Sequence, residues 1–287
     1  MYKTADAVVK LTRIYEYYGS CVLLTLLGTF AAGTNNTLKP LLAVTANLMS
    51  FAFAFMINDI EDAEDDALDP KKAKRNPVSA GKISKRSAYA AALTVAVLCL
   101  VTYTSINIYA FLLGTIGIVL GFLYSWKRVR LKSLPIVDII SHALFLAALG
   151  FLVGVSTNTQ TSNFVLIAWV GISLFIFSMF EDLRNELRDY EVDFLSKLKN
   201  TAQIFKLNRF EKIIKRISVI PLLSIVAYLA LQTTTTSKLL IATGALALTA
   251  HYAIFYKSKN KSIFDYPLIQ IGFVLIGSVL LFQSINQ

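Results

Sequence analysis

The chain has 287 residues, of which 55% are hydrophobic and 16% charged, and its mean hydropathy is +0.59. Such a composition excludes an ordinary soluble domain and predicts a polytopic membrane protein surrounded by a lipid bilayer. The net charge of +10 is explained by basic loops between apolar segments, so nucleic acid is not expected as a partner. Cys21 and Cys99 lie within apolar segments, and no disulfide is expected.

Apolar segments alternate with polar loops along the whole chain. Residues 1–16 predict a short helix on the membrane surface, with Arg13 and Glu16 at the interface. Each later apolar segment is near the ~20 residues that cross a bilayer core. We therefore predict an all-α fold, a membrane bundle of about nine transmembrane helices in one domain over residues 1–287. The predicted spans are 17–33, 40–58, 87–105, 107–125, 135–155, 163–181, 217–232, 238–256 and 266–284.

The basic residues predict how these spans are oriented. Of the 28 Lys and Arg residues, 26 lie at the N-terminus or after the second, fourth, sixth and eighth spans. The opposite loops contain only Lys39 and Lys238. By the positive-inside rule, this is a multi-pass protein of the cell membrane whose N-terminus and whose loops after the second, fourth and sixth spans are cytoplasmic, with the C-terminus outside.

The stretch after the second span, NDIEDAEDDALDPKKAKRNPVSAGKIS, contains seven of the 18 acidic residues. An acidic cluster at the mouth of a membrane helix is unfavourable unless a cation lies there. On one continuous helix, an amide and four carboxylates would share about one quadrant, and massed oxygen ligands favour Mg²⁺. These five residues are Asn58, Asp62, Asp65, Asp66 and Asp69.

Six further acidic residues follow the sixth span, in EDLRNELRDYEVD. A charge run beside a membrane helix is often only a solvated loop, but such a loop needs neither this concentration of acids nor their spacing on one face. Lys and Arg flank both segments. Together they predict a site for a metal-bound polyphosphate. On a helix, four of the acids lie within about 60° of one another: Asp182, Glu186, Asp189 and Asp193.

The two acidic segments resemble motifs of the UbiA-type intramembrane prenyltransferases. The family's NDxxDxxxD motif is matched by Asn58, Asp62 and Asp66, which we call the first acid motif. Its DxxDxxxD motif is matched with Glu in place of the first Asp, and this second acid motif is Glu186, Asp189 and Asp193. The family's RPxxSG-like turn is matched by Arg75, Asn76, Pro77, Ser79 and Gly81, with one residue between Arg75 and Pro77. A Tyr and basic residues after the fourth span are matched by Tyr124, Lys127, Arg128, Arg130 and Lys132.

This resemblance implies transfer of a polyprenyl group from a polyprenyl diphosphate to a membrane-accessible acceptor, with release of diphosphate. It implies Mg²⁺ as cofactor, one ion at each acid motif. The implied catalytic residues are Asn58, Asp62, Asp66, Asp189 and Asp193. The expected metal ligands are these five with Asp182 and Glu186. The expected substrate-binding residues are Arg75, Tyr124, Lys127, Arg130 and Lys199.

Several alternatives stay open. The acceptor class is a quinone or haem precursor, an ether lipid, a chlorophyllide or a carotenoid, with the lipid, pigment and carotenoid branches favoured. Some relatives instead transfer phosphoribosyl to a polyprenyl phosphate or cyclise the prenyl chain. A divalent cation transporter is a hypothesis of another class, although only Asp138 places a carboxylate deep in a span. Asp138 and His142 are four residues apart and share a helix face, so we expect a hydrogen-bonded pair. This pair has either a structural role or a role in orienting or deprotonating the acceptor. The oligomeric state is not predicted.

Overall fold

In the computed structural model, the structure describes residues 2–34, 36–160, 163–195, 198–232 and 267–285, together with 238, 241, 242 and 245. Every regular element within these ranges is helical, which confirms the all-α fold. Single turns of 3₁₀-helix lie at Ile14–Glu16, Leu131–Ser133 and Leu207–Phe210. The helices are α1 (Tyr2–Thr12), α2 (Tyr18–Ala32), α3 (Leu38–Glu61), α4 (Ala63–Asp66), α5 (Pro70–Arg75), α6 (Lys85–Thr104), α7 (Ile108–Ser125), α8 (Val137–Ser156, π-helical at Leu144–Ala148), α9 (Phe164–Arg188), α10 (Tyr190–Leu195), α11 (Thr201–Ile204), α12 (Glu211–Ile217), α13 (Ile220–Gln232) and α14 (Pro267–Ile285).

Six of these helices are long and apolar enough to cross a bilayer: α3, α6, α7, α8, α9 and α14. The chain is therefore a multi-pass membrane protein. Two further predicted spans are shorter helices, α2 with 15 residues and α13 with 13. Most of the predicted span 238–256 lies outside the described residues, so the count of nine and the orientation stay predictions.

The tight connection between the third and fourth spans is confirmed as a break between two helices. Helix α6 ends at Thr104 and α7 begins at Ile108. Asn107 caps α7 by accepting a hydrogen bond from the backbone nitrogen of Ala110 at 2.9 Å, and its amide donates to the carbonyl of Ser156 at 2.6 Å. A single polar residue therefore both starts α7 and ties it to the end of α8.

Close helix crossings in the bundle depend on glycine. A Cβ on Gly28 would lie 2.1 Å from the carbonyl oxygen of Phe151, and one on Gly154 would lie 2.0 Å from that of Thr25. These two glycines let the backbones of α2 and α8 touch, as small residues do in membrane bundles. Gly33 differs, because its φ of +70° places it in the turn that ends α2.

The N-terminal segment is packed more deeply than its sequence predicts. Ala7 and Leu11 of α1 are fully buried against the C-terminal end of α3 and the N-terminal end of α6. Arg13, expected at the membrane interface, is buried at 8% exposure and pairs with Glu16 and with Asp59, at 3.4 Å from the Asp59 carboxylate. A buried carboxylate on α3 therefore holds the Arg13 guanidinium inside the protein, and its depth in the membrane stays a prediction.

Candidate functional site

The first acid motif does not lie on one continuous helix. Helix α3 ends at Glu61, with Asp62 as its C-cap, and the chain turns again at Asp69. The Asp69 carboxylate caps α5 by accepting from the backbone nitrogen of Lys71 at 2.7 Å, and this bond holds the pKa of Asp69 below its usual value. The predicted five-residue stripe is therefore wrong at Asp69, because Asp followed by Pro70 is a strong signal to begin a new helix.

Asn58 and Asp62 nevertheless converge on one cation. The ammonium of Lys132 lies 3.0 Å from Oδ1 of Asn58 and also pairs with the Asp62 carboxylate. The Arg130 guanidinium donates to Asp62 at 3.2 Å and to Asp65 at 2.8 Å. The loop between α7 and α8 therefore covers the first acid motif with positive charge.

Asp66, the third residue of that motif, is held by the turn that follows α5. It is 7% exposed, and its Oδ2 accepts a hydrogen bond from the Asn76 amide at 2.9 Å. The same amide donates to the carbonyl of Asp59 at 2.7 Å, so Asn76 connects the end of α3 with α4. Arg75 is exposed. Burial alone would raise the pKa of Glu16, but the bond with Arg13 and the charges of Arg13 and Arg75 hold this pKa below its usual value.

The second acid motif also spans a helix end. Asp182 and Glu186 are buried on α9, Asp189 is the C-cap of that helix, and Asp193 lies on α10. The hydroxyl of Tyr124 lies 3.4 Å from both carboxylate oxygens of Asp182. The structure thus brings the predicted residues Tyr124 and Asp182 together inside the bundle.

The expected pair of Asp138 and His142 is wrong, because each side chain has a different partner. His142 lies with Nε2 3.6 Å from Asp182 and Nδ1 3.4 Å from the hydroxyl of Ser178. Asp138 instead accepts hydrogen bonds from Thr201, which lies 63 residues later in the chain. The two residues are four apart on α8, as the spacing predicts. Their partners, however, come from α9 and from Thr201.

The two acid motifs meet through lysines. The ammonium of Lys72, on α5, lies 3.5 Å from the carboxylate of Asp189. Burial and the charge of Asp189 raise the pKa of Asp193, and the charges of Lys72 and Lys132 oppose this rise. The resulting pKa of Asp193 is about 6. Lys132 is bonded to the first motif, and Lys72 pairs with Asp189 of the second. The two acidic segments lie at the same end of the bundle.

Two of the predicted substrate-binding lysines lie further out. The ammonium of Lys127 pairs with Glu64 at 2.7 Å, and the exposed fractions of these side chains are 33% and 77%. The bond with Glu64 raises the pKa of Lys127. Lys199 is exposed beyond the second motif. Arg130, as predicted, reaches the first motif together with Lys132, and Lys72 and Arg188 reach Asp189 of the second.

Lys132 belongs to the basic segment that the sequence singles out, but it was not among the predicted site residues. Asn76 likewise belongs to the predicted turn without a predicted role. Thr201 carries no charge and follows no recognisable spacing, so no signal in the sequence marks it.

The donor set at this end of the bundle suits a hard cation. Within the described ranges, no group of three or more His, Cys, Asp or Glu side chains is arranged to hold a metal. Lysines and arginines pair with Asp62 and Asp189, whereas Asp66 is held by Asn76. Asn58 and Asp62 already share one ammonium through two oxygens. Oxygen donors of this kind are those that Mg²⁺ prefers, so the residues fit the ion once Lys132 moves away.

Comparison with known proteins identifies the family. The sequence model of the UbiA prenyltransferase family matches residues 21–270, and the chain belongs to that family. The structure of a UbiA homolog from Archaeoglobus fulgidus bound to GPP and Mg²⁺ matches with TM-score 0.72 at 25% identity, over 98% of this chain and 100% of that chain. An apo UbiA homolog from Aeropyrum pernix K1 shares the fold, with TM-score 0.72 at 17% identity over 92% of this chain and 98% of that one.

A named enzyme is similar over part of the sequence. Digeranylgeranylglyceryl phosphate synthase from Methanopyrus kandleri is 28% identical over 172 residues. The match spans 60% of this chain and 60% of the length of that relative.

Proposed function

We propose that the protein transfers a polyprenyl group from a polyprenyl diphosphate to an acceptor within the membrane, with Mg²⁺ as cofactor. The observation that carries the proposal is the shared cation position of Asn58 and Asp62, beside the Lys72–Asp189 pair of the second acid motif. Membership of the family and the likeness to a homologue bound to GPP and Mg²⁺ support the same substrate class.

The proposed roles follow from where each side chain lies. Mg²⁺ would stabilise the negative charge that develops on the diphosphate oxygens as the carbon–oxygen bond breaks. Lys72, Arg130 and Lys132 would exchange carboxylate partners for diphosphate oxygens, which offer the same charge-assisted hydrogen bonds. The proposed metal-holding residues are Asn58, Asp62, Asp66, Asp182, Glu186, Asp189 and Asp193.

Aromatic side chains line the inner side of the site. The rings of Tyr124 and Phe145 have centroids 5.2 Å apart, and His142 lies beside both. Such faces exclude water, and they attract the positive charge that remains on the prenyl group after diphosphate leaves. We assign them the protection of the prenyl cation.

We propose that the prenyl tail enters the bundle at a small cavity of about 10 Å³, whose lining side chains would move apart to admit it. The cavity lies between α3, α6, α7 and α8, and its apolar lining includes Phe51, Phe145 and Leu149. Asn47, at its far end, is 11 residues before Asn58 on α3, which corresponds to about 16 Å along the helix. An apolar chain attached to diphosphate at Asn58 would extend in that direction.

The proposal also covers the acceptor, the side of the membrane on which the site lies, and the domain organisation. The name of the Methanopyrus kandleri relative favours a prenylated glyceryl phosphate lipid as the first acceptor to test. The alternation of basic loops supports a site on the cytoplasmic side of the cell membrane. We further propose that residues 1–287 form one transmembrane domain.

Radiolabelled geranylgeranyl diphosphate tests the proposal. Purified protein, Mg²⁺ and a lipid extract from the native host are incubated, and diphosphate release and labelled lipid are followed. We expect label in a new lipid only with Mg²⁺ and intact Asp62. Asp62→Ala should be inactive, whereas Asp6→Ala, which removes an exposed acid on α1, should be active. No transfer from any prenyl diphosphate would contradict the proposal, and cation flux into liposomes without diphosphate would favour a transporter.

A further inference from the structure

Asp138 is a fully buried carboxylate that accepts hydrogen bonds from Thr201 and Ile139. It lies in the first turn of α8, with no exposed surface. Its Oδ2 accepts from the backbone nitrogen of Thr201 at 2.6 Å, and its Oδ1 accepts from the Thr201 hydroxyl and from the backbone nitrogen of Ile139 at 2.8 Å. Burying a carboxylate is unfavourable without such bonds, so Asp138 and Thr201 hold each other in one geometry.

The Thr201 hydroxyl also fixes the end of the basic loop. It accepts a hydrogen bond from the backbone nitrogen of Ile136 at 2.6 Å. Ile136 has φ of +71°, a conformation that a β-branched residue adopts only when its surroundings impose it. Ile136 closes the same loop that carries Arg130 and Lys132. One hydroxyl group therefore links that loop to Asp138.

The neighbours of Thr201 bind the second acid motif. The backbone nitrogen of Ala202 donates to Oε2 of Glu186 at 2.8 Å. The side-chain amide of Asn200 donates to Oδ2 of Asp193 at 3.0 Å. Three consecutive residues, all at most 5% exposed, thus orient two carboxylates and anchor the basic loop.

We propose that Asp138 and Thr201 are positioning residues that set the second acid motif at a fixed distance from Arg130 and Lys132. Neither touches the substrate; they act through Asn200, Ala202 and Ile136. This inference rests on the proposed function, because its purpose is to let one diphosphate meet both groups at once. It replaces the expectation that Asp138 acts with His142.

The test is binding of a non-reactive prenyl thiodiphosphate with Mg²⁺, measured by calorimetry on purified protein. Thr201→Val keeps the side-chain shape but removes the hydroxyl. We expect its Kd to rise about tenfold or more, as when residues that orient metal ligands are lost. Thr201→Ser keeps the hydroxyl and should bind as wild type. Thr94→Val is the matched control, because the exposed Thr94 hydroxyl donates to the Ala90 carbonyl of its own helix.

A second variant and a second readout separate positioning from stability. Asp138→Asn replaces an acceptor oxygen by a donor that faces a Thr201 donor, and it should raise the Kd in the same way. A purely structural role would lower the melting temperature yet leave the Kd of the folded protein unchanged. Wild-type Kd in Thr201→Val, or in Asp138→Asn if the first variant does not fold, would overturn the inference. If wild-type protein does not bind the analogue, the proposed function fails, and the inference with it.

Discussion

Removing the Lys132 ammonium should affect metal and substrate in opposite directions. Its side chain is 11% exposed and that of Asp62 is 14%, so the pair is shielded from solvent. A hydrogen bond to a charged group is worth about 1.5–3 kcal/mol, which is roughly 10- to 100-fold in an equilibrium constant. In Lys132→Met, Mg²⁺ no longer competes with an ammonium for Asn58 and Asp62. Mg²⁺ should therefore bind the substrate-free protein roughly 10- to 100-fold more tightly.

With prenyl diphosphate present, the same change should be harmful. The diphosphate loses one charge-assisted hydrogen bond, so the KM for prenyl diphosphate should rise by a comparable factor. The assays are calorimetric titration of Mg²⁺ without substrate, followed by steady-state release of diphosphate. Lys127→Met is the matched control, since Lys127 pairs with the exposed Glu64, and both quantities should stay near wild type.

Two results would refute this reasoning. Unchanged or weaker Mg²⁺ binding in Lys132→Met would mean that Lys132 does not occupy the metal position. A larger effect in Lys127→Met than in Lys132→Met would restore the sequence-based assignment of Lys127 as the phosphate-binding lysine.

Three other substitutions test separate parts of the structure. Asp189→Asn should lower turnover by at least about tenfold, measured as diphosphate release across Mg²⁺ concentrations, and wild-type turnover would remove the second motif from the site. Gly117→Leu projects into the deep cavity and should lower kcat/KM for geranylgeranyl diphosphate roughly tenfold more than for geranyl diphosphate; equal effects would place the tail elsewhere. Arg13→Met leaves Asp59 buried without its cation and should destabilise the protein by about 3–5 kcal/mol in unfolding measurements, whereas the exposed Arg86→Met should not; equal stability would contradict the buried pair.

The helices were predictable because lipid imposes a strong constraint on sequence. A run of about 20 apolar residues between polar loops can cross a membrane only as a helix or in a closed barrel, and the observed α3, α6, α7 and α9 follow the predicted spans. The end of α9 was less predictable. Its seven residues beyond the predicted span include Asp182 and Glu186, which are buried by neighbouring segments rather than by lipid.

The composition of the candidate site was predictable, but its pairing was not. Acid type and local spacing pointed to Asn58 and Asp62, which do converge on one cation. Which lysine reaches them depends on the fold of the loop after α7, where Arg130 adopts φ of +47°. This loop brings Lys132 to Asn58 and Asp62 and places Lys127 against Glu64, and sequence spacing does not reveal that choice.

Partners distant in sequence were the least predictable. The partner of Asp138 is Thr201, an uncharged residue in a segment between two short helices. Arg13 pairs with Glu16 three residues later and also with Asp59, which sequence motifs assign to the acidic segment rather than to the N-terminus. The contacts of Asp138 with Thr201 and of Arg13 with Asp59 both depend on the packing of segments that are distant in sequence.

The most direct test of the central claim is whether both acid motifs act on one metal-bound diphosphate. Binding of a prenyl thiodiphosphate is measured with and without Mg²⁺ for wild type, Asp62→Asn and Asp189→Asn. We predict that wild type binds only with Mg²⁺ and that either substitution alone weakens binding by at least about tenfold. Binding that is independent of Mg²⁺, or that survives unchanged in either variant, would contradict the account.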